Sequence, residues 1–217
     1  MIIIVHQTFY RLPDEKKERI LRSAHREFTQ HTYEKSSINR ILDDARIPKG
    51  SFYQYFDDKS DLFYLCIFSV YEKIIAVRMR NSESLLGAGL LRMKNMGYEK
   101  GYELFSQDLQ AILDEEDFIL FENMLKAPGA IRNYVQMSVA SGLLAPIFKE
   151  ELMADPAVRG DIDYDYYAYL LSLTEMIPVD YGARHGRNIE ETIYLGFEYM
   201  RAIYDSITDF GTASQTR

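Results

Sequence analysis

The chain has 217 residues, of which 47% are hydrophobic and 27% are charged, and its formal net charge is −8. This length allows one large or two small domains with a buried core, and the composition is that of a soluble globular protein, which excludes a disordered chain. The single cysteine, Cys66, excludes an internal disulfide and favours a reducing, cytoplasmic environment.

The charge is unevenly distributed along the chain. Residues 11–60 contain 11 Lys and Arg against 9 Asp and Glu, so this segment is slightly basic while the acidic excess lies elsewhere. The overall negative charge argues against nucleic-acid binding by the whole surface, but this N-terminal segment remains a candidate.

The first five residues, Met1 to Val5, form an apolar run. The run is too short to span a bilayer, and neither a basic residue before it nor a small-residue cleavage site after it marks a signal peptide. We expect a mobile or loosely packed extension and no membrane association.

Helical periodicity dominates the sequence that follows. The spacing predicts a first helix from Asp14 to His31, with Ile20, Ala24 and Phe28 as its apolar stripe. Basic side chains cover its other faces, so one side is expected to pack while the rest is solvated.

Two short helices are predicted next. Ser36 or Ser37 is a suitable N-cap for the first of them, which carries apolar residues at helical spacing. Pro48 interrupts the pattern, because the residue before a proline avoids the helical region. A second short helix is predicted over 49–56. A polar break follows at 57–59, where Asp57 or Asp58 can cap a long fourth helix.

The remainder predicts further helices, so the expected fold class is all-α. The predicted helices lie near 99–111, 117–126, 129–153, 163–178 and 188–208. The predicted breaks lie at 87–97, 114–116, 128–129, 155–156 and 180–186.

The segment 36–59 is typical of a helix-turn-helix, whose second helix lies in the major groove of DNA. In that helix Lys49 can donate to base edges or phosphates, and Gly50 lets the backbone approach closely. Phe52 and Phe56, four residues apart, are expected to face the core. The other side chains able to hydrogen-bond phosphates or bases are Ser51, Tyr53, Gln54 and Tyr55.

The sequence from Ile47 to Phe63 resembles the headpiece of the TetR family of bacterial regulators. Upstream, the same pattern is matched by Arg19, Ile20, Leu21, Ala24, Phe28 and Tyr33. The motif covers residues 14–63, and the rest of the chain resembles the family in length and helical character. The resemblance implies an all-helical homodimer whose headpieces bind an operator and whose body binds a small molecule.

The resemblance also assigns candidate DNA contacts to individual positions. It places Lys49, Gly50 and Tyr53 at base-contacting positions. It places Ser36, Ser51, Tyr55 and Lys59 at phosphate-contacting positions. Together with Ser37, Arg46 and Gln54, these residues make up the candidate DNA-binding set.

Two positions depart from the family pattern. The family often has glycine in the turn of the helix-turn-helix, where this chain has Arg46. A non-glycine residue at positive φ carries a penalty of roughly 1 kcal/mol. The family also tends to have a small residue where Leu42 stands, so the crossing of the two helices is expected to shift.

The remaining motifs favour ordinary structural roles. The acidic sequence 161–165 resembles the start of a calcium loop, but Tyr166 and Ser172 replace the glycine and glutamate that such a loop needs. The four histidines lack metal-ligand spacing, and Cys66 lies in an apolar helical segment, as a core residue would. We therefore predict no metal, no cofactor, no catalytic residue and no enzymatic activity.

Aromatic and methionine side chains are dense in the middle helices, over roughly 99–153. Most are expected to be core, and some are candidates to line an apolar cavity between helices. The candidate effector-binding residues are Phe105, Phe121, Met124, Tyr134 and Met137. Their chemistry favours an apolar or aromatic effector, with a lipophilic cation as the second choice.

The sequence thus predicts a three-helix DNA-binding headpiece within 1–57 and a larger helical ligand-binding and dimerisation bundle over 58–217. The expected function is sequence-specific DNA binding by a repressor that a small effector releases from a palindromic operator. The last two long helices have apolar stripes wide enough for a homodimer interface. The alternative is a helical ligand-binding protein or enzyme whose headpiece no longer binds DNA.

Overall fold

The computed structural model describes residues 5–80, 107, 110–185 and 189–208. Helices make up most of these ranges and no strand forms within them, which confirms the predicted all-α class. None of the helices in these ranges is both long enough and apolar enough to cross a membrane. The helices are α1 (Gln7–Tyr10), α2 (Asp14–Gln30), α3 (Ile38–Asp44), α4 (Lys49–Phe52), α5 (Lys59–Arg80), α6 (Glu115–Lys126), α7 (Gly129–Val139), α8 (Ala145–Ala154), α9 (Tyr164–His185) and α10 (Ile189–Ile207), with a π-helical turn at Ala140–Leu144.

The chain divides into two compact units. The first unit joins residues 1–73 to residues 113–139, and the second joins 74–112 to 140–217. Helices α6 and α7 therefore belong to the same unit as the helix-turn-helix, although they lie far along the chain. The functional division after residue 57 stays a prediction.

The core of the first unit forms around α2, whose predicted bounds are confirmed to within one residue. The expected stripe of Ile20, Ala24 and Phe28 is buried. The ring of Phe28 stacks on Tyr33 at 6.4 Å between centroids and meets Phe63 edge-on at 4.8 Å. Aromatic packing of this kind adds to the hydrophobic burial of each ring.

Helix α6 is fastened to α2 and α5 by buried polar contacts. The Nδ2 atom of Asn123 donates to the carbonyl oxygen of Phe28 at 2.8 Å, at the C-terminal end of α2. The fully buried carboxylate of Asp117 accepts from Nζ of Lys73 at 2.6 and 2.8 Å. Buried polar groups of this kind stabilise only when paired, so removing one partner is costly.

The prediction of a mobile or loosely packed extension over residues 1–5 is wrong at Val5, the one residue of that run within the described part of the chain, and the turn of helix that follows is packed as well. Val5 is 1% exposed and Phe9 is 3% exposed. The ring of Phe9 lies 5.1 Å from that of Phe56. One turn of helix is too short to show a sequence period, and its packing depends on residues almost fifty positions away.

In the second unit, α9 packs against α8, the π-helical turn and α10. The break predicted at 180–186 is wrong, because α9 continues through Pro178 to His185. A proline removes one backbone donor, and packing against a neighbouring helix compensates for that loss. The single helix predicted over 129–153 is interrupted by the π-helical turn. The helix predicted near 99–111 lies almost wholly outside the described residues.

Candidate nucleic-acid interface

The turn between α3 and α4 is closed by a Schellman motif. The N–H of Ile47 donates to the carbonyl of Leu42 at 2.9 Å, and the N–H of Arg46 donates to that of Asp43 at 3.2 Å. This motif requires a left-handed residue, usually glycine. Arg46 takes that role with φ 56°. A non-glycine residue at this φ costs roughly 1 kcal/mol of backbone strain. It also places an exposed guanidinium beside α4.

Helix α4 and the turn after it, together called the recognition segment (49–55), carry an exposed polar face. Lys49 and Gln54 are exposed, and Tyr53 has 67% of its surface exposed. No atom lies within 4 Å of the position that a Cβ on Gly50 would occupy. The backbone at Gly50 is therefore open to a close approach by a ligand.

The opposite face of the recognition segment is anchored in the core. Phe52 and Phe56 are each 1% exposed, as predicted, and their rings lie 5.3 Å apart. Tyr55 is also buried, and its hydroxyl accepts a hydrogen bond from Nζ of Lys16 on α2 at 3.1 Å. The Tyr55 side chain thus has a hydrogen-bond partner within the first unit. Its contact with a DNA phosphate stays a prediction.

Ser36 and Lys59 close the connection between α2 and α3. Nζ of Lys59 donates to the carbonyls of Tyr33 at 2.5 Å and Ser36 at 3.0 Å, and it lies 4.4 Å from the centroid of the Tyr33 ring. Burial lowers the pKa of Lys59 despite the nearby carboxylates. The buried hydroxyl of Ser36 donates to the Tyr33 carbonyl at 2.6 Å. Both side chains are thus occupied internally, while their phosphate contacts remain predictions.

A buried carboxylate orients the start of α3, and sequence reasoning missed it. Ser37 holds the N-cap position but makes no side-chain cap bond. Its N–H instead donates to Glu27 at 2.8 Å, and Nε of Arg40 donates to both Glu27 oxygens at 3.0 Å. Burial acts to raise the pKa of Glu27, but the hydrogen bonds from Arg40 and Ser37 outweigh it and leave the pKa below its ordinary value.

The start of α5 is capped from two directions. Oδ1 of Asp58 accepts from the N–H of Ser60 at 2.6 Å, and Oδ2 of Asp61 accepts from the N–H of Asp58 at 3.3 Å. The side chains of Asp58 and Asp61 thus accept from backbone N–H groups at the start of the helix, as in a capping box. The other oxygen of Asp61 accepts from the hydroxyl of Tyr134 on α7 at 2.5 Å. Burial, followed by the bond to Asp61, raises the pKa of Tyr134.

The N-terminal segment contacts the end of the recognition segment, a site that sequence reasoning did not find. The N–H of His6 donates to the carbonyl of Tyr55 at 3.0 Å. Nδ1 of the same side chain lies 3.2 Å from the carbonyl oxygen of Gln54, and Nε2 lies 2.9 Å from Oδ1 of Asp57. Phe9 was the available signal, since phenylalanine is among the residue types most often buried.

The structure divides the candidate DNA-binding set into two groups. One group lies on the turn and the recognition segment, and it comprises Arg46, Lys49, Gly50, Ser51, Tyr53, Gln54 and Tyr55. The other lies at the connection between α2 and α3 and at the start of α5, and it comprises Ser36, Ser37 and Lys59. Their roles toward DNA are predictions at this point.

The candidate effector residues lie mainly in the first unit. Met124 is fully buried on α6, and Phe121 on the same helix lies 6.0 Å from the ring of Tyr71. Tyr134 and Met137 lie on α7 and are half-buried. Phe105 lies outside the described residues. Binding of an effector by this set stays a prediction.

The other candidate sites in the described part of the chain are a reactive thiol and a group of metal ligands. Cys66 is buried, and its burial raises the pKa of the thiol, as expected for a core residue. Among the described residues, no group of three or more His, Cys, Asp or Glu side chains is placed to hold a metal ion.

The geometry defines a helix-turn-helix unit with an exposed polar recognition segment. Residues 20–64 match the family model of bacterial regulatory proteins, tetR family. This match covers the helix-turn-helix and the start of α5, so the similarity to the tetR family is shown for this part of the chain.

Three solved structures of tetR-family regulators align with most of the chain at low sequence identity. A TetR family transcriptional regulator from Chloroflexus aurantiacus J-10-FL is 23% identical, with 94% of each chain covered and a TM-score of 0.43. A regulator of the family from Mesorhizobium loti MAFF303099 is 18% identical, covering 91% of this chain and 100% of its own, with a TM-score of 0.43. The regulatory protein TetR from Rhodobacter sphaeroides is 18% identical, covering 85% and 96%, with a TM-score of 0.37. No curated protein matches the chain.

Proposed function

We propose that this protein is a cytoplasmic repressor that binds a palindromic DNA operator and is released from it by a small apolar or aromatic effector. The observation that carries the proposal is the two-sided recognition segment. Phe52 and Phe56 hold one side in the core, while Lys49 and Tyr53 project from the other beside the open backbone of Gly50. A buried anchor and an exposed polar face suit a helix that enters the major groove. No enzymatic step forms part of this function.

The proposal includes a homodimer formed through α9 and α10. A recognition segment this short reads only a few base pairs, so two copies on half-sites about one helical turn apart are needed for specific binding. Helices α9 and α10 pack against each other and carry two exposed aromatic side chains, Tyr166 at 55% and Tyr199 at 53%. Exposed aromatic surface of this kind suits an interface with a second copy.

The proposal also includes an effector that acts on the headpiece through α6 and α7. These helices contain four of the five candidate effector residues and belong to the first unit. The hydrogen bond from Tyr134 to Asp61 ties α7 to the start of α5, immediately after the recognition segment. A ligand that moves α7 would thereby change the position of the recognition segment, and operator DNA would weaken ligand binding by the same factor.

The test uses fluorescent duplexes that tile the DNA upstream of the protein's own coding sequence. We expect one duplex to bind far more tightly than a scrambled duplex of equal length, and its affinity to fall steeply with salt because phosphate contacts release counterions. A protein that binds every duplex equally, or none, would contradict operator recognition and favour a headpiece that no longer reads DNA. Light scattering checks the dimer, and a monomer at micromolar concentration would contradict it.

A further inference from the structure

We propose, on the basis of the operator binding inferred above, that residues 5–12 clamp the end of the recognition segment and that protonation of His6 tightens this clamp. His6 is then a positioning residue for DNA recognition. Protonation of His6 is therefore expected to raise the operator affinity as the pH falls through the neutral range. This effect depends on the contacts of the His6 imidazole with Gln54 and Asp57.

The two ring nitrogens of His6 both face acceptors. Nδ1 lies 3.2 Å from the carbonyl oxygen of Gln54, and Nε2 lies 2.9 Å from a carboxylate oxygen of Asp57. Neither oxygen can donate a hydrogen bond. A neutral imidazole has one N–H, whereas the imidazolium has two. The arrangement is therefore fully satisfied only by the protonated ring, and a neutral ring gives up one of the two bonds.

Further contacts of the same segment converge on the same place. The N–H of His6 donates to the Tyr55 carbonyl at 3.0 Å, and the hydroxyl of Thr8 donates to the Gln54 carbonyl. The ring of Phe9 packs against Phe56. The end of α4 is also closed by backbone bonds, since the N–H groups of Tyr55 and Phe56 donate to the Phe52 carbonyl at 2.9 and 3.0 Å. Contacts from residues 6–9 add to these bonds, directly beside exposed Tyr53.

The charges around His6 determine the sign of its pH response. Asp57 and Asp61 face it from the start of α5. On the side of α2, the ammonium of Lys16 contacts the Tyr55 hydroxyl, and that of Lys17 contacts the Tyr10 carbonyl. The hydrogen bond to Asp57, above all, raises the pKa of His6 above its ordinary value of 6.5.

The direction follows from linkage between protonation and the clamped state. Since the pKa of His6 is higher in the clamp than in a free chain, the contribution of its protonation is complete below the ordinary value. That contribution is lost as the pH rises through the raised pKa.

The first measurement is the titration of His6 in the full chain, followed through its ring Cε1 resonance in NMR spectra. We expect its pKa above the ordinary value in the wild type, and a lower pKa in Asp57→Asn. Asp57 has 81% of its side chain exposed, so this variant is expected to fold normally. A His6 pKa at or below the ordinary value would overturn the clamp.

The second measurement is operator affinity from about pH 5.5 to about pH 8 at constant ionic strength. We expect the wild type to weaken about two- to fivefold over this range, as for one exposed charged contact. His6→Gln and Asp57→Asn should both lose this pH dependence and bind as weakly as the wild type does at high pH. His6→Lys, which keeps a positive charge throughout, should bind tightly at every pH.

A matched control compares His6 with a histidine of the second unit. His185→Gln, at the exposed end of α9, should keep the wild-type pH profile. Unchanged pH dependence in His6→Gln would overturn the proposal by assigning the effect to another group. Unchanged dependence in Asp57→Asn would show that His6 acts on DNA directly and would also overturn it. A wild type that binds no duplex at any pH would contradict the proposed function alone, and the NMR titration would still decide the clamp.

Discussion

The hydroxyl of Tyr134 donates to the carboxylate of Asp61 at 2.5 Å, so a residue of α7 holds the first turn of α5 across 73 positions of sequence. Asp61 is 4% exposed and also accepts from the backbone N–H groups of Asp57 and Asp58. One carboxylate therefore links the end of the recognition segment, the start of α5 and a helix that carries candidate effector residues.

We predict that Tyr134→Phe lowers the free energy of unfolding by about 1–3 kcal/mol, because a buried carboxylate loses a charge-assisted hydrogen bond. It should also weaken operator binding, since the start of α5 is no longer held. Tyr204→Phe is a matched control in the second unit, where the Tyr204 hydroxyl contacts Asp155. Urea unfolding and operator titration give both quantities. Equal operator affinities in the two variants would exclude the proposed link.

A second prediction concerns Gly50→Ala. The added methyl group meets no atom in the free protein and alanine favours helix, so stability should stay within about 1 kcal/mol of the wild type. Operator affinity should fall by about 1 kcal/mol or more, because the methyl group obstructs a contact with DNA. Gly160→Ala, also with open space around it, is the control and should change neither property. Full operator affinity in Gly50→Ala would show that DNA does not approach this backbone.

The two lysines of the candidate set should behave differently. Lys49→Ala should leave stability unchanged and weaken operator binding by about 1–3 kcal/mol if Lys49 reads a base. Lys59→Met should lower the free energy of unfolding by about 1–2 kcal/mol, because the carbonyls of Tyr33 and Ser36 lose their donor. Thermal unfolding and operator titration of both variants make the comparison. A Lys59→Met protein of wild-type stability would assign Lys59 to DNA alone.

The fourth prediction concerns Glu27 and acid. Glu27→Gln should cost about 1–3 kcal/mol at neutral pH, because the hydrogen bonds from Arg40 and Ser37 lose their charged acceptor. The pKa of Glu27 is lowered, so its contribution is present above the ordinary value of 4.5 and is lost as the pH falls through the lowered pKa. Urea unfolding as a function of pH should show the wild type and Glu27→Gln converging in acid.

Glu18→Gln is the control for that experiment. Glu18 pairs with Arg22 on the exposed surface of α2, and each side chain is 69% exposed. Exposed pairs of this kind contribute little to stability. A loss of stability in Glu18→Gln as large as that in Glu27→Gln would mean that general surface charge, and not the buried contact, explains the effect.

The sequence was sufficient for features that depend on neighbouring residues. Apolar spacing placed α2, and the helix-turn-helix pattern placed the turn at which Arg46 adopts positive φ. The sequence was insufficient for features that depend on contacts between residues far apart in the chain. The burial of Tyr55 depends on Lys16 and Phe9, and the buried state of Glu27 depends on Arg40. Periodicity describes one helix at a time and contains no information on such pairings.

The length of α9 also shows that local sequence alone is insufficient to predict where a helix ends. Proline and glycine near 180–186 predicted a break, yet the helix continues to His185. Local propensity is a weak prior that tertiary packing overrides. For the candidate DNA-binding residues, sequence spacing identified their positions along the chain but could not reveal which hydroxyl and ammonium groups are occupied by internal partners, as those of Ser36 and Lys59 are.

The first unit is discontinuous, because residues 113–139 complete a body that begins at the N-terminus. During synthesis, the helix-turn-helix therefore leaves the ribosome well before Asn123 can bond the Phe28 carbonyl or Asp117 can meet Lys73. Until the intervening residues 74–112 have been translated, the nascent headpiece lacks α6 and α7, and part of its apolar surface stays uncovered. Its final packing is thus a late, long-range closure, and a ribosome stalled before residue 139 would carry an unfinished DNA-binding unit.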